Sequence, residues 1–188
     1  IVPDFYQQLV QDGRVFLASN AARETALAGG GTSFADTAPA FLLDVPVGYT
    51  VMPLEIHLAQ GGVVAGGPIT VLMTLSDKTR YASGGGAITP QNMRFDEPYA
   101  SACSFYGCGT DIVANANTDD ITLWAAIVDE DITTNAGWDV NVNWSARNNL
   151  APLLVGPASL VIYAFAAVTE PSLFFNIMWA EIPTADVT

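Results

Sequence analysis

The stretch SLVIYAFAAVTEPSLFFNIMWAEIP, from Ser159 to Pro183, decides the fold class of this chain. It consists of two apolar runs, SLVIYAFAAV and SLFFNIMWAE, separated by Thr169, Glu170 and Pro171. Each run is about half as long as the roughly 20 apolar residues that a helix needs to cross a bilayer. Because both runs are rich in β-branched and aromatic residues and the break has turn chemistry, the stretch is predicted to form a β-hairpin.

The two predicted strands carry apolar residues on both of their faces. In an antiparallel sandwich a strand is usually apolar on its inner face and polar on its outer face. One face of this hairpin can fill a core, but the other face needs a different cover. Tyr163, Phe165, Phe174 and Met178 lie on that second face and are the predicted interface between copies of the chain. A cover supplied by the N-terminal arm of the same chain, residues 1–31, is the alternative.

The composition is apolar and acidic. Hydrophobic residues make up 51% of the chain and charged residues 13%, compared with a usual charged share of about 25%. Mean hydropathy is +0.33, which predicts burial beyond the core of one copy. The formal charge is −13, with 19 acidic and 6 basic residues and no run of Lys or Arg. This balance argues against binding to nucleic acid and to anionic membranes.

Alternating apolar residues predict strands through the middle of the chain. The clearest runs are TVMPLEIHLAQ (inward Met52, Leu54, Ile56, Leu58), ITVLMTLS (Ile69, Val71, Met73, Leu75), DDITLWAAIVDED (Ile121, Leu123, Ala125, Ile127) and WDVNVNWSA (Trp138, Val140, Val142, Trp144). AFLLDV near Ala40 adds another strand, whereas the Gly- and Pro-rich span between the second and third runs is predicted as loops with short edge strands. About seven or eight strands predict an all-β protein, specifically a two-sheet antiparallel jelly-roll sandwich over residues 32–188.

The first 31 residues differ from the rest of the chain. They lack strict alternation, and AARETALA has mild helix propensity. We therefore expect an N-terminal arm or short helix over residues 1–31. The following GGGTSFADTAP reads as a flexible joint, and the glycine runs at Gly29–Gly31 and Gly84–Gly86 are predicted to be turns.

No residue set in the sequence specifies a reaction. Glu55 and His57 share one strand face. They could form a general-base pair or supply two ligands of a metal site, but an ordinary surface or interface pair is favoured. His57 is the single histidine, and no nucleophile motif surrounds it. The sequence therefore predicts no catalytic residues, no cofactor-binding residues and no metal ligands.

Other polar and aromatic residues allow weaker hypotheses. Cys103 and Cys108 are interpreted as two free thiols, with a short-loop disulfide as the alternative. The acidic turns at residues 119–120 and 129–131 are interpreted as solvated strand ends, with a structural calcium site as the alternative. The four tryptophans, at positions 124, 138, 144 and 179, are interpreted as core residues, with a sugar-stacking platform as the alternative.

Three strings resemble small virion proteins of tailed bacteriophages, which have a jelly-roll fold similar to complement and tumour-necrosis-factor modules. They are VPVGYTVMPLEIHL, GGGAITPQNMRF and GPASLVIYAFAAVTEPSLFFNIMWAEIP, which ends in WAEIP at Trp179 to Pro183. The resemblance covers roughly residues 40–183. It implies a non-enzymatic, capsid-decorating or capsid-associated subunit of the virion, without a cofactor. The implied partners are further copies of the chain in a homotrimer and the viral capsid or other virion proteins.

Two other classes of protein stay open at this point. A carbohydrate-binding module or adhesin requires at least two exposed tryptophans beside Asn or Asp. A self-assembling filament or surface-layer subunit requires open head-to-tail contacts in place of closed rings.

Overall fold

The computed structural model describes residues 4–22, 24–61, 68–96, 98–128 and 141–187. The elements, in chain order, are α1 (Phe5–Gln11), β1 (Val15–Ser19), β2 (Leu27–Ala28), β3 (Phe41–Val45), β4 (Tyr49–Gln60), β5 (Ile69–Ser76), β6 (Tyr81–Ile88), β7 (Gln91–Asn92), β8 (Ser104–Ala114), β9 (Ile121–Val128), β10 (Asn141–Ser145), β11 (Leu154–Val155), β12 (Ala158–Ala166), β13 (Ser172–Pro183) and a 3₁₀ turn (Thr184–Asp186).

The strands form two antiparallel sheets that pack face to face. Sheet A has the order β10-β4-β13-β1-β7, with β2 beside β13 and β11 beside β4, and sheet B has the order β6-β8-β3-β12-β5-β9. Among the described strands, the chain crosses between the sheets from β2 to β3, β3 to β4, β4 to β5, β6 to β7, β7 to β8, β9 to β10, β11 to β12 and β12 to β13. This alternation is the connectivity of a jelly roll. The predicted all-β antiparallel sandwich is therefore confirmed.

An aromatic cluster joins the two sheets in the core. Phe41 and Phe105 come from sheet B, and Phe175 and Trp179 come from sheet A. The ring centroids of Phe41 and Phe175 are 4.5 Å apart, and those of Phe105 and Trp179 are 5.8 Å apart. Burying such a side chain stabilises the fold by roughly 1.5–3 kcal/mol. The inward-facing side chains of the terminal stretch are thus a main part of the core.

The terminal stretch does not form the predicted hairpin. β12 pairs with β3 and β5 in sheet B, whereas β13 pairs with β1 and β4 in sheet A. The segment between them carries the chain from one sheet to the other. Both strands are central, so each needs a strongly apolar inner face and neighbours on both edges. This explains the length of the apolar runs without a direct pairing between them.

The N-terminal segment is built into the sandwich where the structure describes it. β1 lies between β13 and β7 in sheet A, and Phe16 and Ala18 belong to the core. The helix α1 begins after Asp4, whose side chain accepts a hydrogen bond from the backbone N–H of Gln7 at 2.8 Å. Leu9 of this helix is 7% exposed and packs on the outer face of sheet A. The predicted short N-terminal helix is therefore confirmed, and the described residues around it pack on the sandwich and do not extend as an arm.

A bulge changes the inner face of β4. Met178 pairs with Glu55 and Trp179 pairs with Pro53, so Leu54 has no partner in β13. Ile56 and Leu58 point into the core as predicted. Met52 and Leu54 instead pack under α1 on the outer face. The extra residue in β4 reverses the alternation, which a regular pattern cannot predict.

Other predicted faces have mixed outcomes. Ile69, Val71 and Met73 of β5 and Val142 and Trp144 of β10 lie in the core, as predicted. Ile127 of β9 is 69% exposed, and Trp124 and Val128 pack against the core instead. The span predicted as loops with short edge strands contains β8, an 11-residue strand that pairs with β3. Trp138 and Val140 lie outside the described residues.

Neither glycine run forms a simple turn. Gly84–Gly86 lie inside β6, and Gly30 follows β2 with a φ of +92°. A Cβ atom on Gly30 would lie 1.7 Å from the carbonyl oxygen of Ala164. Glycine is therefore required for the chain to pass against β12. Among the described residues, no helix is long and apolar enough to span a bilayer.

Candidate interaction surface

The segment after Gly31 covers part of the outer face of sheet B. The ring of Phe34 contacts Tyr163 edge-on at a centroid distance of 5.1 Å and lies 6.2 Å from the ring of Phe165. Tyr163 is 2% exposed, and its hydroxyl donates to the backbone oxygen of Asp36 at 2.9 Å. Phe165 is half-buried. The cover for this half of the predicted interface comes from the same chain, but from Phe34 and Asp36 and not from the predicted arm.

Arg80 is the centre of a buried ionic cluster beneath this segment. Its side chain is 1% exposed and donates to the carboxylate of Asp36 at 2.9 Å, to that of Asp120, and to the backbone oxygen of Asn115. Asp36 also accepts from the backbone N–H of Asn117 at 3.0 Å. Three separate segments therefore meet at one guanidinium. The cluster fixes residues 34–36 on the outer face of sheet B.

The cluster changes the acidity of its members. Burial on its own would raise the pKa of Asp36, but the hydrogen bonds from Asn117, Arg80 and Tyr163 and the charge of Arg80 together lower it below its usual value. Burial raises the pKa of Tyr163 to about 12. Asp36 is therefore held ionised and Tyr163 is held neutral at ordinary pH.

The helix α1 covers one half of the outer face of sheet A. Leu9, Tyr6 and Val10 pack on Val15 and Ala180 and on nearby apolar residues. An ion pair of 3.1 Å between Asp4 and Arg147 links the start of the helix to the segment that follows β10. The guanidinium of Arg147 also lies 5.2 Å from the ring centroid of Tyr6.

No described element covers the other half of the outer face of sheet A. It contains a polar row across four neighbouring strands and apolar residues on both sides of that row. The row consists of Ser19, Asn176, His57 and Asn143, which are directly opposite one another in register, and the flanking residues are Phe174 and Ala59 on one side and Leu17 and Met178 on the other. We call these eight residues the open face.

The side chains of the polar row are available for intermolecular contacts. In the part of the chain that the structure describes, none of the four makes a side-chain hydrogen bond. Asn143 and Asn176 are exposed, and Ser19 and His57 are half-buried. Glu55 is the one acidic residue that borders the row on β4. The open face is thus nearly neutral, although the chain carries a charge of −13.

The four residues of the predicted interface do not share one surface. Tyr163 and Phe165 lie on the outer face of sheet B, and Phe174 and Met178 lie on the outer face of sheet A. Tyr163 is buried within the chain, so its assignment to an interface is corrected. Phe174 and Met178 are half-buried on the open face, and their role in an interface stays a prediction.

The remaining sequence hypotheses resolve in different ways. Cys103 and Cys108 are both free and buried, and burial raises the pKa of the Cys108 thiol to about 12. Trp144 and Trp179 are buried in the core. Trp124 packs against it. These three therefore do not form an exposed sugar platform.

The acidic turns do not assemble a metal site in the described residues. Asp120 is bound to Arg80, and Asp119 lies 3.9 Å from Lys78. Residues 129–131 lie outside the described part of the chain. Within that part, no group of three His, Cys, Asp or Glu residues could hold a metal ion. Glu55 and His57 share the outer face of β4, with no further ligand beside them.

A cleft of about 430 Å³ lies at one end of sheet A. Arg14, Tyr49, Tyr99 and Glu181 are among the residues that line it. The buried carboxylate of Glu181 accepts from Trp179 Nε1 and from the backbone N–H of Ala102, both at 2.8 Å, and from the hydroxyl of Ser101. Glu181 is therefore a structural anchor of the WAEIP segment.

Sequence reasoning did not identify Arg80, Asp36 or Glu181. Most of their partners are far away in the chain, and a single charged residue in a loop or strand carries no periodic signal. Only the apolar context of Glu181 in WAEIP could have marked it as buried. The chain matches no protein-family model, no curated protein and no solved structure.

Proposed function

We propose that this chain is a non-enzymatic structural subunit of a virion, which associates with itself and docks on a viral shell as a capsid-decorating or capsid-associated protein. The single observation that carries the proposal is the open face of sheet A. It combines exposed amide groups with partly exposed apolar side chains in a nearly neutral surface. The resemblance of the sequence to small jelly-roll virion proteins supplies the virion as the location.

The chemistry of the open face suits a contact between identical copies. Copies with a charge of −13 repel one another, so contact is favoured where the surface carries the least charge. Asn side chains both donate and accept hydrogen bonds, so they can pair with the same residues of another copy. Phe174 and Met178 supply apolar area beside them. The resemblance favours a closed ring of three copies.

The alternative classes have less support. Glycan binding is less well supported, because two of the three tryptophans in the described residues, Trp144 and Trp179, fill the core. A catalytic role is less well supported, because no described residue forms a nucleophile pair with His57. A filament or surface layer requires a second contact, in addition to the open face.

Sedimentation equilibrium of the purified protein tests the self-association. We expect the mass of the wild type at micromolar concentration to be a multiple of three times the chain mass of 19.8 kDa. Phe174→Glu should remove this factor of three, because it places three carboxylates in the contact. Val47→Glu is the matched control, since Val47 is exposed in the turn between β3 and β4. Circular dichroism should show both variants folded.

Two results would overturn the proposal. One is a wild-type protein that stays monomeric at micromolar concentration. The other is a Phe174→Glu protein that is folded and still trimeric. Negative-stain electron microscopy of the wild type separates closed rings from sheets and filaments.

A further inference from the structure

Strand β9 is a long edge strand of sheet B, and in the described residues its one irregularity is the register shift at Leu123. Its eight residues, ITLWAAIV, contain no charge and no proline. In the described part of the chain β9 pairs only with β5. An edge strand of this kind presents unpaired backbone N–H and C=O groups and is a template for another strand.

The other sheet edges are blunted. β6 forms the opposite edge of sheet B, but Gly84 and Gly85 have positive φ angles and its pairing with β8 shifts register twice. In sheet A, β7 has two residues and β10 has five. Bulges, irregular glycines and short length are the features by which proteins prevent edge pairing. β9 is the exception among the described edges.

The outer surface beside β9 is also uncharged. Thr70 and Leu72 of β5 lie next to Ile127 and Ala125 of β9, and Phe165 of β12 continues the row. Ile127 and Ala125 are exposed. A partner strand must therefore tolerate an uncharged, partly apolar neighbour. Charge repulsion excludes most of the surface of a second copy, but not its own β9.

We propose that β9 is a second contact surface, through which two copies of this chain pair edge to edge about a two-fold axis. The two β9 strands run antiparallel and join two B sheets into one continuous sheet. The contact is isologous, because the same strand is used on both sides. It does not involve the open face of sheet A, so the two contacts are independent.

The pairing of β9 with β5 predicts the register of this contact. Trp124, Ala126 and Val128 point inward, and Ala125 and Ile127 point outward. Directly opposite residues of an antiparallel pair lie on the same face of the sheet. A two-fold axis through Ala126 satisfies this for all five residues from 124 to 128. Ala125 of one copy then lies opposite Ile127 of the other.

The first test uses full-length protein that also carries Phe174→Glu, so that association through the open face is removed. Sedimentation equilibrium should then give twice the chain mass. Adding Ala125→Lys should halve that mass, because it places a charge at the edge contact. Ala87→Lys is the matched control and should leave the dimer intact, since Ala87 is an exposed alanine on the blunted edge strand β6. A monomeric Phe174→Glu protein, or a dimer that survives Ala125→Lys, overturns the proposal.

The second test measures the register by disulfide formation. Ala125→Cys and Ile127→Cys proteins are mixed in equal amounts and oxidised. We expect mainly the mixed disulfide, because the two Cα atoms are within the 4.4–6.8 Å that a disulfide spans. The native thiols are buried and do not compete. Absence of the mixed disulfide, while each variant remains folded, overturns the proposed register and pairing.

Discussion

The ionic cluster around Arg80 allows a quantitative prediction of stability. Arg80→Met keeps most of the side-chain volume but removes the only cation that contacts Asp36 and Asp120 in the described residues. The carboxylate of Asp120 is nearly inaccessible to solvent, with a side-chain exposure of 7%. It would remain buried without a counterion. The backbone oxygen of Asn115 would also lose its donor.

The expected cost follows from the burial of the cluster. Removing one partner of a buried ion pair typically destabilises a protein by about 3–5 kcal/mol. Asp36 is one-third exposed, so it can regain water, and the lower end, about 3 kcal/mol, applies here. With a urea slope of about 3 kcal/mol/M for a chain of this length, the unfolding midpoint should fall by about 1 M.

Urea unfolding followed by tryptophan fluorescence measures this change, because Trp144 and Trp179 are buried. Arg14→Met is the matched control. Its partner Asp186 is 3.8 Å away and both side chains are well exposed, so the cost should be below about 1 kcal/mol. Asp36→Asn should fall between the two, since it leaves Asp120 paired. Equal midpoints for Arg80→Met and Arg14→Met would refute the reasoning.

Two further predictions concern the alkaline limit and the helix. The pKa values of Cys108 and Tyr163 are each raised to about 12 in the fold, so their contribution to stability is complete below about pH 9 and is lost as the pH rises towards 12. The urea midpoint should therefore be lower at pH 10.5 than at pH 8. Iodoacetamide at pH 8 should label both cysteines only in denaturant. An unchanged midpoint would contradict the assignment. If α1 belongs to the fold, Leu9→Ala should destabilise the protein by about 2 kcal/mol and the exposed control Phe5→Ala by less than about 0.5 kcal/mol. Equal, negligible losses of stability in urea unfolding would show that the N-terminal segment is a separate arm.

The strands could be predicted from the sequence, but their partners could not. Alternation in ITVLMTLS and WDVNVNWSA indicates which side chains point inward, and the structure agrees for the core residues of β5 and for Val142 and Trp144 of β10. Alternation carries no information on which strand lies next to which. Two apolar runs joined by Thr169–Pro171 fit a hairpin and a crossover equally well. The choice depends on β1, β3, β4 and β5, which occupy the edges of β12 and β13.

The errors within single strands have local causes. In β4 a bulge at Leu54 reverses the alternation, and in β9 apolar residues occur on both faces. A strand that is apolar on both faces gives no signal for its inner side. The sequence offered the N-terminal arm as an alternative cover for Tyr163, but it did not point to Phe34 and Asp36, which lie in a Gly-rich segment without periodicity.

The two proposed contacts together determine what kind of assembly the chain can form. A closed ring through the open face gives three copies, and a two-fold contact through β9 joins two such rings. If the two-fold axes are perpendicular to the three-fold axis and meet it, the assembly closes at six copies. If the axes are inclined or do not meet, each ring joins three others and the assembly extends into a layer or a shell. Because a decorating subunit must remain finite and a surface layer must extend, the angle between these axes separates the proposed function from its closest alternative.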